Sequence, residues 1–237
     1  MKTVIITGAT RGIGYSTCLK FLNSGYNVVG SYVNSVQIAK ELEKKGAVMV
    51  KADVSDNNAV DNLFNVCKEK FGDADILINN AGVCLEQKFI LDTQIDEFDK
   101  VFDVNVKGVY LTTKKALSTM LFSGGKILNI SSIFGLVGGS CESIYASSKH
   151  AVLGFTKSVA YEVENSNAEV FALCVGLVDT DMNKHLSSEE KQEFLNDYGL
   201  KNLLTPNKVA NKIYNLVNKS NVNGKIFKLN VGKFYKK

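Results

Sequence analysis

Thr3-Val4-Ile5-Ile6-Thr7-Gly8-Ala9-Thr10-Arg11-Gly12-Ile13-Gly14 opens the chain and points to its architecture. Residues 3–7 form a short, continuous apolar run. Such a run fits a strand covered on both faces in a parallel sheet. After Gly14, apolar residues recur at helical spacing (Tyr15, Cys18, Leu19, Leu22), and Gly25 closes the pattern. Between strand and helix lie three glycines. Lacking Cβ, they let the backbone turn tightly and let a pyrophosphate approach it at the helix N-terminus. In the order strand, glycine loop, helix, these residues point to a dinucleotide. The bland alternative is a tight turn with no ligand.

The chain then repeats the alternation. Asn27-Val28-Val29-Gly30-Ser31-Tyr32 is expected as the second strand, followed by a helix over 36–45 that Gly46 ends. A site for NAD usually has Asp or Glu at the end of this second strand, accepting from the ribose hydroxyls. Here Tyr32, Val33 and Asn34 stand there, and Arg11 sits in the glycine loop. A missing carboxylate and a nearby guanidinium suit the 2′-phosphate of NADP. A solvated loop arginine is the alternative. A third strand is expected over 47–51, with Asp53 after it and Asp56 as N-cap of a helix ending near Phe71. Asp53 either accepts from an adenine amino group or holds a turn. The fourth strand, over 74–78, runs into Asn79-Asn80-Ala81-Gly82, at the strand end where open α/β sheets bind ligands.

A long helical pattern covers about 95–121, with Asn105 in its middle. A polar amide there is mildly unfavourable. It either bonds backbone at a kink or orders water beneath Lys149. Strand five, expected over 125–130, leads into Ser131-Ser132. Tyr145-Ala146-Ser147-Ser148-Lys149 then opens a helix to about Glu164. Side chains at i and i+4 share a helix face, so the Tyr145 phenol and the Lys149 ammonium can enter one cleft. A free phenol has a pKa of about 10, and bringing it to about 7 takes roughly 4 kcal/mol. A fixed cation lowers it in this way. A phenol so tuned passes a proton to or from an oxygen, which Ser132 could hold by a hydrogen bond. Alone, a YxxxK pair is an ordinary surface feature. The sixth strand is expected over 169–175. Ser187-Ser188-Glu189-Glu190 reads as a capping box for a helix to about Tyr198, Thr205-Pro206 starts another helix, and 225–229 is a last strand.

Composition bounds the rest. A chain of 237 residues, 45% hydrophobic and 22% charged, suits one α/β unit with a sizeable core, taken as 1–237. The net charge of +4, much of it in Lys233, Lys236 and Lys237, is too mild to argue for nucleic acid. Cys18, Cys67, Cys84, Cys141 and Cys174 are scattered, with no CxxC pair and no nearby histidine. They read as reduced thiols in a cytoplasmic protein, and no metal site is expected. His150 and His185 read as surface residues, while Cys84 and Cys141 flank segments that form the cleft. Met1 leads directly into a strand, so no signal peptide is expected. No apolar run reaches the roughly 18 residues of a membrane span.

Gly8-x-x-x-Gly12-x-Gly14, Asp53, Asn79-Asn80-Ala81-Gly82, Asn105, Ser132 and Tyr145-x-x-x-Lys149 occur in one order across the chain. That ordered set resembles the short-chain dehydrogenase/reductase family. Within it, Thr7-Gly8-Ala9-Thr10-Arg11-Gly12-Ile13-Gly14, Asp179-Thr180-Asp181-Met182, Leu186-Ser187-Ser188-Glu189-Glu190 and the tail from Gly224 to Tyr235 resemble the β-ketoacyl-[acyl-carrier-protein] reductases. The resemblance implies a Rossmann-type, doubly wound parallel sheet of about seven strands with helices on both faces, usually in a homotetramer or dimer. It implies hydride transfer between NADP(H) and a carbonyl. Tyr145 would be the general acid, Lys149 would lower its pKa and bind the nicotinamide ribose, Ser132 would polarise the carbonyl, and Asn105 would hold a relay water. The cofactor would lie on Gly8, Thr10, Arg11, Gly12, Ile13 and Gly14, on Asn34, Asp53 and Val54, on Asn80, Ala81 and Gly82, on Tyr145 and Lys149, and on Val178 and Thr180.

Three departures bear on the substrate. Val175-Gly176 stands where the family usually has Pro-Gly. A proline fixes φ and removes a donor; valine does neither. Arginines that would grip an acidic carrier are missing at Ser123 and at Asn165-Ser166-Asn167, with Lys114, Lys115 or Lys184 as substitutes. The turn 198–202 lacks the Pro and Arg common in those reductases. The overall resemblance still makes a β-ketoacyl thioester, free or bound to acyl carrier protein, the best substrate expectation. A free small carbonyl such as a sugar, a pterin or a xenobiotic ketone is the alternative, and a non-catalytic dinucleotide sensor the third reading. The substrate loop is expected at 176–204. The helices at 95–121 and 143–164 are expected to pair across a subunit interface.

Overall fold

The structure, a computed structural model, describes residues 1–184, 186–200 and 202–232. The expectations for His185, for Lys201 in the 198–202 turn and for the lysines at the C-terminus lie outside these residues. The chain alternates strand and helix: β1 (Thr3–Ile6), α1 (Gly12–Leu22), β2 (Asn27–Tyr32), α2 (Val36–Lys44), β3 (Val48–Lys51), α3 (Asn57–Phe71), β4 (Ile76–Asn79), α4 (Ile95–Phe102), α5 (Gly108–Ser123), β5 (Gly125–Ser132), α6 (Ser143–Glu162), β6 (Ala168–Val175), α7 (Ser188–Asp197), α8 (Pro206–Val217) and β7 (Ile226–Leu229). The strands form one parallel sheet in the order β3-β2-β1-β4-β5-β6-β7.

That order is the doubly wound arrangement the opening stretch implied. The chain winds outward from β1 to β3, then returns to β1's other edge with β4. The two loops leaving β1 and β4 therefore diverge, and a crevice opens between them at the strands' C-terminal ends. The apolar runs explain why these strands lie inside: every residue of β1 and of β4 is buried. One face packs Phe21 of α1 and Val209 and Ile213 of α8 against the sheet. The other packs Leu63 of α3, Met120 of α5 and Val159 of α6. Burying each such side chain stabilises the fold by about 2 kcal/mol.

Local signals set several boundaries as expected. The Asp56 carboxylate accepts from the Asn58 N–H at 2.9 Å at the start of α3. Ser187 and Glu190 close a reciprocal capping box on α7, and Thr205 caps α8 with Pro206 at its first turn.

The long helix expected over 95–121 is corrected. It divides into α4 and α5, joined by a π-helical turn over Asp103–Lys107 that contains the buried Asn105. The reason is the amide itself. Asn105 Oδ1 accepts from the Val83 N–H at 2.8 Å, and Nδ2 donates to the Val83 carbonyl at 2.9 Å and to Ser148 Oγ at 3.0 Å. These bonds tie the helix to the loop after β4 and to α6, and the wide turn points the amide at both. Among the described residues, no helix is long and apolar enough to cross a membrane.

Candidate active site

The site begins with the glycine loop. Gly8 has φ of +64°, a conformation that L side chains rarely adopt. A Cβ on Gly14 would collide with the Gly8 carbonyl and would sit 2.6 Å from Asn80 Nδ2. The loop is thus a cradle that side chains would fill. Asn80 laces it from β4's end: its Nδ2 donates to the Thr7 carbonyl at 2.9 Å and to the Gly8 carbonyl at 3.1 Å. Thr7 Oγ1 accepts from the Asn80 and Ala81 N–H groups, each at 3.0 Å. The Gly8 N–H donates to Ser31 Oγ of β2 at 3.2 Å. Three strands therefore fix one loop, and the N-terminus of α1 faces the space above it. A pyrophosphate fits such a cradle.

Beneath the loop lies a network that sequence reading only half found. Asn79, at the end of β4, ties that strand to its neighbours. Its Nδ2 donates to Asn129 Oδ1 on β5 at 2.8 Å and to Thr113 on α5 at 3.1 Å, and its Oδ1 accepts from Thr112 at 2.7 Å. Asn129 passes the chain on to Thr156 of α6 at 2.9 Å. All five residues are buried. No local signal marks Asn129, Thr112, Thr113 or Thr156, because their partners lie far away in sequence.

The crevice widens into a cleft of about 1050 Å³. Its lining unites Gly8, Thr10, Arg11, Gly12, Ile13, Asn34, Asp53 and Val54 with Asn80, Ala81, Gly82, Ser132, Tyr145, Lys149, Val178 and Thr180. Of the candidate residues, Gly14 and Asn105 stand behind this surface. Asp53 lines the cleft and also holds a turn: its Oδ1 accepts from the Ser55 N–H at 2.9 Å and from Ser55 Oγ at 2.7 Å. Val178 pairs with Leu204 in an isolated bridge. Thr180 packs on the glycine loop, 3.0 Å from where a Cβ on Gly12 would lie.

Ser132 ends β5, and Tyr145 and Lys149 stand one turn apart on α6. The Tyr145 phenol is hydrogen-bonded to Ser132, while the Phe134 N–H holds Ser132 Oγ from behind at 3.1 Å. Lys149 is buried, its Nζ donating to the Ile130 carbonyl at 3.2 Å and lying 5.7 Å from the centre of the Tyr145 ring. A side chain on Gly82 would meet both Asn105 Oδ1 (3.3 Å) and Lys149 Nζ (3.4 Å). The amide expected to order water beneath Lys149 is thus close to it, although its side-chain oxygen already accepts from Val83.

One expectation is corrected here. Lys149 was expected to bring the phenol down toward neutral pH. Burial instead pushes the Tyr145 phenol above its ordinary value, helped by the negative charge that Cys84 and Glu142 can carry and opposed by the Ser132 hydrogen bond. Burial also brings the Lys149 ammonium down to about 8. Desolvation disfavours the charged form of each group and is the largest cause of both shifts. The raised value favours the protonated phenol, an O–H donor.

The lining also includes Cys84, Phe134, Glu142 and Phe194, none of which was singled out as a site residue, although Phe194 falls in the segment expected as the substrate loop. Cys84 had been noted only as flanking the cleft. It is half-buried, and burial, then Glu142, raise its thiol pKa. Cys141, its companion in that reading, is exposed and lies outside this lining.

The comparisons with known proteins agree with this geometry. A family model described as short chain dehydrogenase matches residues 2–191. The chain is 33% identical over 219 residues to the 3-oxoacyl-[acyl-carrier-protein] reductase FabG of Staphylococcus aureus, covering 90% of this chain and 89% of that one. It is 34% identical over 201 residues to a 3-oxoacyl-[acyl-carrier-protein] reductase of Synechocystis, covering 82% and 81%. Among solved structures, ElxO with NADP bound is similar at a TM-score of 0.87 and 33% identity, over 96% of each chain. A short chain dehydrogenase from Burkholderia cenocepacia in complex with NADP is similar at a TM-score of 0.89 and 27% identity, over 98% of this chain and 97% of that one.

Proposed function

The chain belongs to the short chain dehydrogenase family, and we propose that this oxidoreductase reduces a ketone to a secondary alcohol with NADPH. The observation that carries the proposal is the convergence of Ser132, Tyr145 and Lys149 in the cleft that the glycine loop opens. When bound, NADPH supplies the hydride that adds to the carbonyl carbon. The Gly8–Gly14 cradle holds its pyrophosphate, and Arg11, with no acid at the end of β2, favours a 2′-phosphate. Two structural relatives solved with NADP support that choice. Ser132 orients and polarises the carbonyl. As the carbon–oxygen π bond breaks, Tyr145 gives its proton to the oxygen, and the phenolate left behind is stabilised by the Lys149 ammonium until solvent returns the proton. Asn105 positions the loop after β4 and links it to α6 beneath Lys149.

Two substrate readings follow. The relatives named 3-oxoacyl-[acyl-carrier-protein] reductase favour a β-ketoacyl thioester. The lysines that might have gripped an acidic carrier favour a free ketone, because none of them lines the cleft. Lys115 pairs with Asp61 at 2.5 Å, Lys184 pairs with Asp181, and Lys114 lies over the Tyr110 ring. Residues 1–237 act as one unit, with 176–204 as its substrate loop, in a cytoplasmic protein. Exposed Tyr110, Leu121 and Phe122 on α5 and Tyr161 on α6 suit pairing of these helices in a dimer or tetramer. A monomeric mass in sedimentation at micromolar concentration would count against that.

NADPH oxidation with acetoacetyl-CoA and a panel of free ketones tests the activity, with NADH in parallel. Tyr145→Phe is expected to lower turnover by at least about a thousandfold while NADPH still binds. Turnover by the variant at the wild-type rate would remove the phenol from the chemistry.

A further inference from the structure

Opposite the glycine loop, at the β5–β6 end of the cleft, the lining changes character. Phe134 sits in a 3-10 turn (Ile133–Gly135) immediately after Ser132 and is 8% exposed. Three rings meet it edge to face: Tyr145 at 6.3 Å, Phe194 at 5.8 Å and Tyr198 at 5.8 Å between centroids. Phe194 and Tyr198, one turn apart at the end of α7, lie 4.6 Å apart. The Tyr198 hydroxyl donates to the Gly138 carbonyl at 3.4 Å and joins α7 to the loop that follows Phe134. The rings thus come from three separate elements and lock one another in place. Such pairs add about 0.5–1.5 kcal/mol each beyond the area they bury.

The cluster packs inward on Ile133, Ala146 and Leu153. Phe134 and Phe194 also line the cleft, together with Leu177, Met182 and Leu186. They stand beside the Tyr145 phenol, where the substituents of any carbonyl bonded to Ser132 and Tyr145 must lie. The charge on this end points the same way. Among the described residues lining the cleft, Arg11, Lys100 and Lys149 are the cations, whereas Phe134, Phe194, Leu177, Met182 and Leu186 carry no charge and Glu142 adds a carboxylate. The Gln87 amide holds that carboxylate at 3.1 Å. The ring and alkyl groups themselves offer no cation to a phosphorylated or acidic substituent.

We propose that the β5–β6 end is an aromatic wall that selects ketones bearing an uncharged ring or alkyl substituent, with Phe134 and Phe194 as its specificity-determining residues. The proposal rests on ketone reduction as the activity and names the substrate class. The wall rejects anionic substituents, so the carrier or nucleotide portion of a thioester contributes nothing to recognition.

The test compares methyl acetoacetate, benzyl acetoacetate and acetoacetyl-CoA, which share one ketone. Two readouts are taken on NADPH-loaded protein: kcat/KM in the wild type, and ligand affinity in Tyr145→Phe, measured by the change in NADPH fluorescence. The expected result is a preference of about tenfold or more for benzyl over methyl acetoacetate in affinity. That ratio falls to about twofold or less when Phe194→Ala is added, and Phe134→Leu lowers it in the same direction. Acetoacetyl-CoA binds no better than methyl acetoacetate. A ratio unchanged by Phe194→Ala, or tighter binding of acetoacetyl-CoA than of the benzyl ester, overturns the proposal. Selective binding without wild-type turnover of any of the three would leave the wall standing and count against ketone reduction. Turnover without selectivity would do the reverse.

Discussion

The two ends of the cleft recognise their ligands by different means. At the β1–β4 end the groups that matter are backbone: the glycine loop, the N-terminus of α1, and the Thr7 and Gly8 carbonyls that Asn80 laces. At the β5–β6 end they are side chains: Ser132, Tyr145 and Lys149 for the chemistry, with Phe134 and Phe194 beyond them. A pyrophosphate can be held by N–H groups that any sequence possesses, provided nothing stands between them and it. Glycine therefore does most of the work there. A ketone's substituents can only be recognised by side chains, and many different ones would serve. The first end is a constraint on the chain, and the second is a choice.

That contrast makes unequal demands on substitution. Outside the catalytic set, the largest effect is expected at Gly14. Gly14→Ala would place a methyl group against the Gly8 carbonyl and 2.6 Å from Asn80 Nδ2. Neither neighbour can retreat, since each is fixed by hydrogen bonds. Overpacking of this kind costs roughly 1–3 kcal/mol. Fluorescence titration should show NADPH affinity reduced by about a hundredfold. An unchanged affinity would mean that the loop does not hold the cofactor.

A smaller effect separates the two ends by pH. Burial brings Lys149 down to about 8, while the Tyr145 phenol is raised and keeps its proton. Reduction should therefore proceed at a steady rate up to about pH 8. Above that, kcat/KM should fall by about tenfold per unit as Lys149 loses the charge that stabilises the phenolate. NADPH affinity should change less, because the backbone N–H groups of the cradle carry no charge to lose. A reduction rate that climbs through pH 8 would reverse the assignment. Stability moves the other way. Between about 8 and the unfolded lysine's 10.5, the unfolded chain still binds a proton that the folded state has released, so stability rises across that window.

The smallest effect is expected where α7 begins. Ser187→Ala removes the hydroxyl that accepts from the Glu190 N–H at 3.1 Å. The loss of a cap is worth about 1 kcal/mol and loosens the helix that carries Phe194. KM for an apolar ketone should rise by about two- to fivefold with NADPH affinity unaltered. Equal changes in both would show that the ends are not independent.

The same contrast explains what could be read from the chain. The Thr3–Gly14 stretch announces strand, cradle and helix because buried parallel strands and glycine loops tolerate few alternatives. The Asp56, Ser187 and Thr205 caps were legible for the same reason: each is a local hydrogen bond between near neighbours. Tyr145 and Lys149 were legible because one helix turn joins them. A kink at a backbone-bonding Asn105 was one of two readings, but the form and partners of the π-helical turn were not legible. The turn is set by Val83 and Ser148, and no periodicity within 95–121 encodes partners outside it. The aromatic wall was equally hidden, because Phe134 and Phe194 are sixty residues apart and each alone reads as ordinary core. The direction of the Tyr145 shift was misjudged from spacing for a related reason: two residues on one helix face suggest attraction, but only the packed site shows how far both are removed from water.

The most direct test of the whole account follows the hydrogen atoms. NADPH carrying deuterium at the transferable nicotinamide position is supplied with benzyl acetoacetate, and the alcohol is analysed by mass spectrometry and NMR. The account predicts deuterium bonded to the carbinol carbon, ordinary hydrogen on the oxygen from Tyr145 in light water, and almost no alcohol from Tyr145→Phe. Alcohol formed without deuterium at carbon, or formed as quickly by Tyr145→Phe, would contradict it.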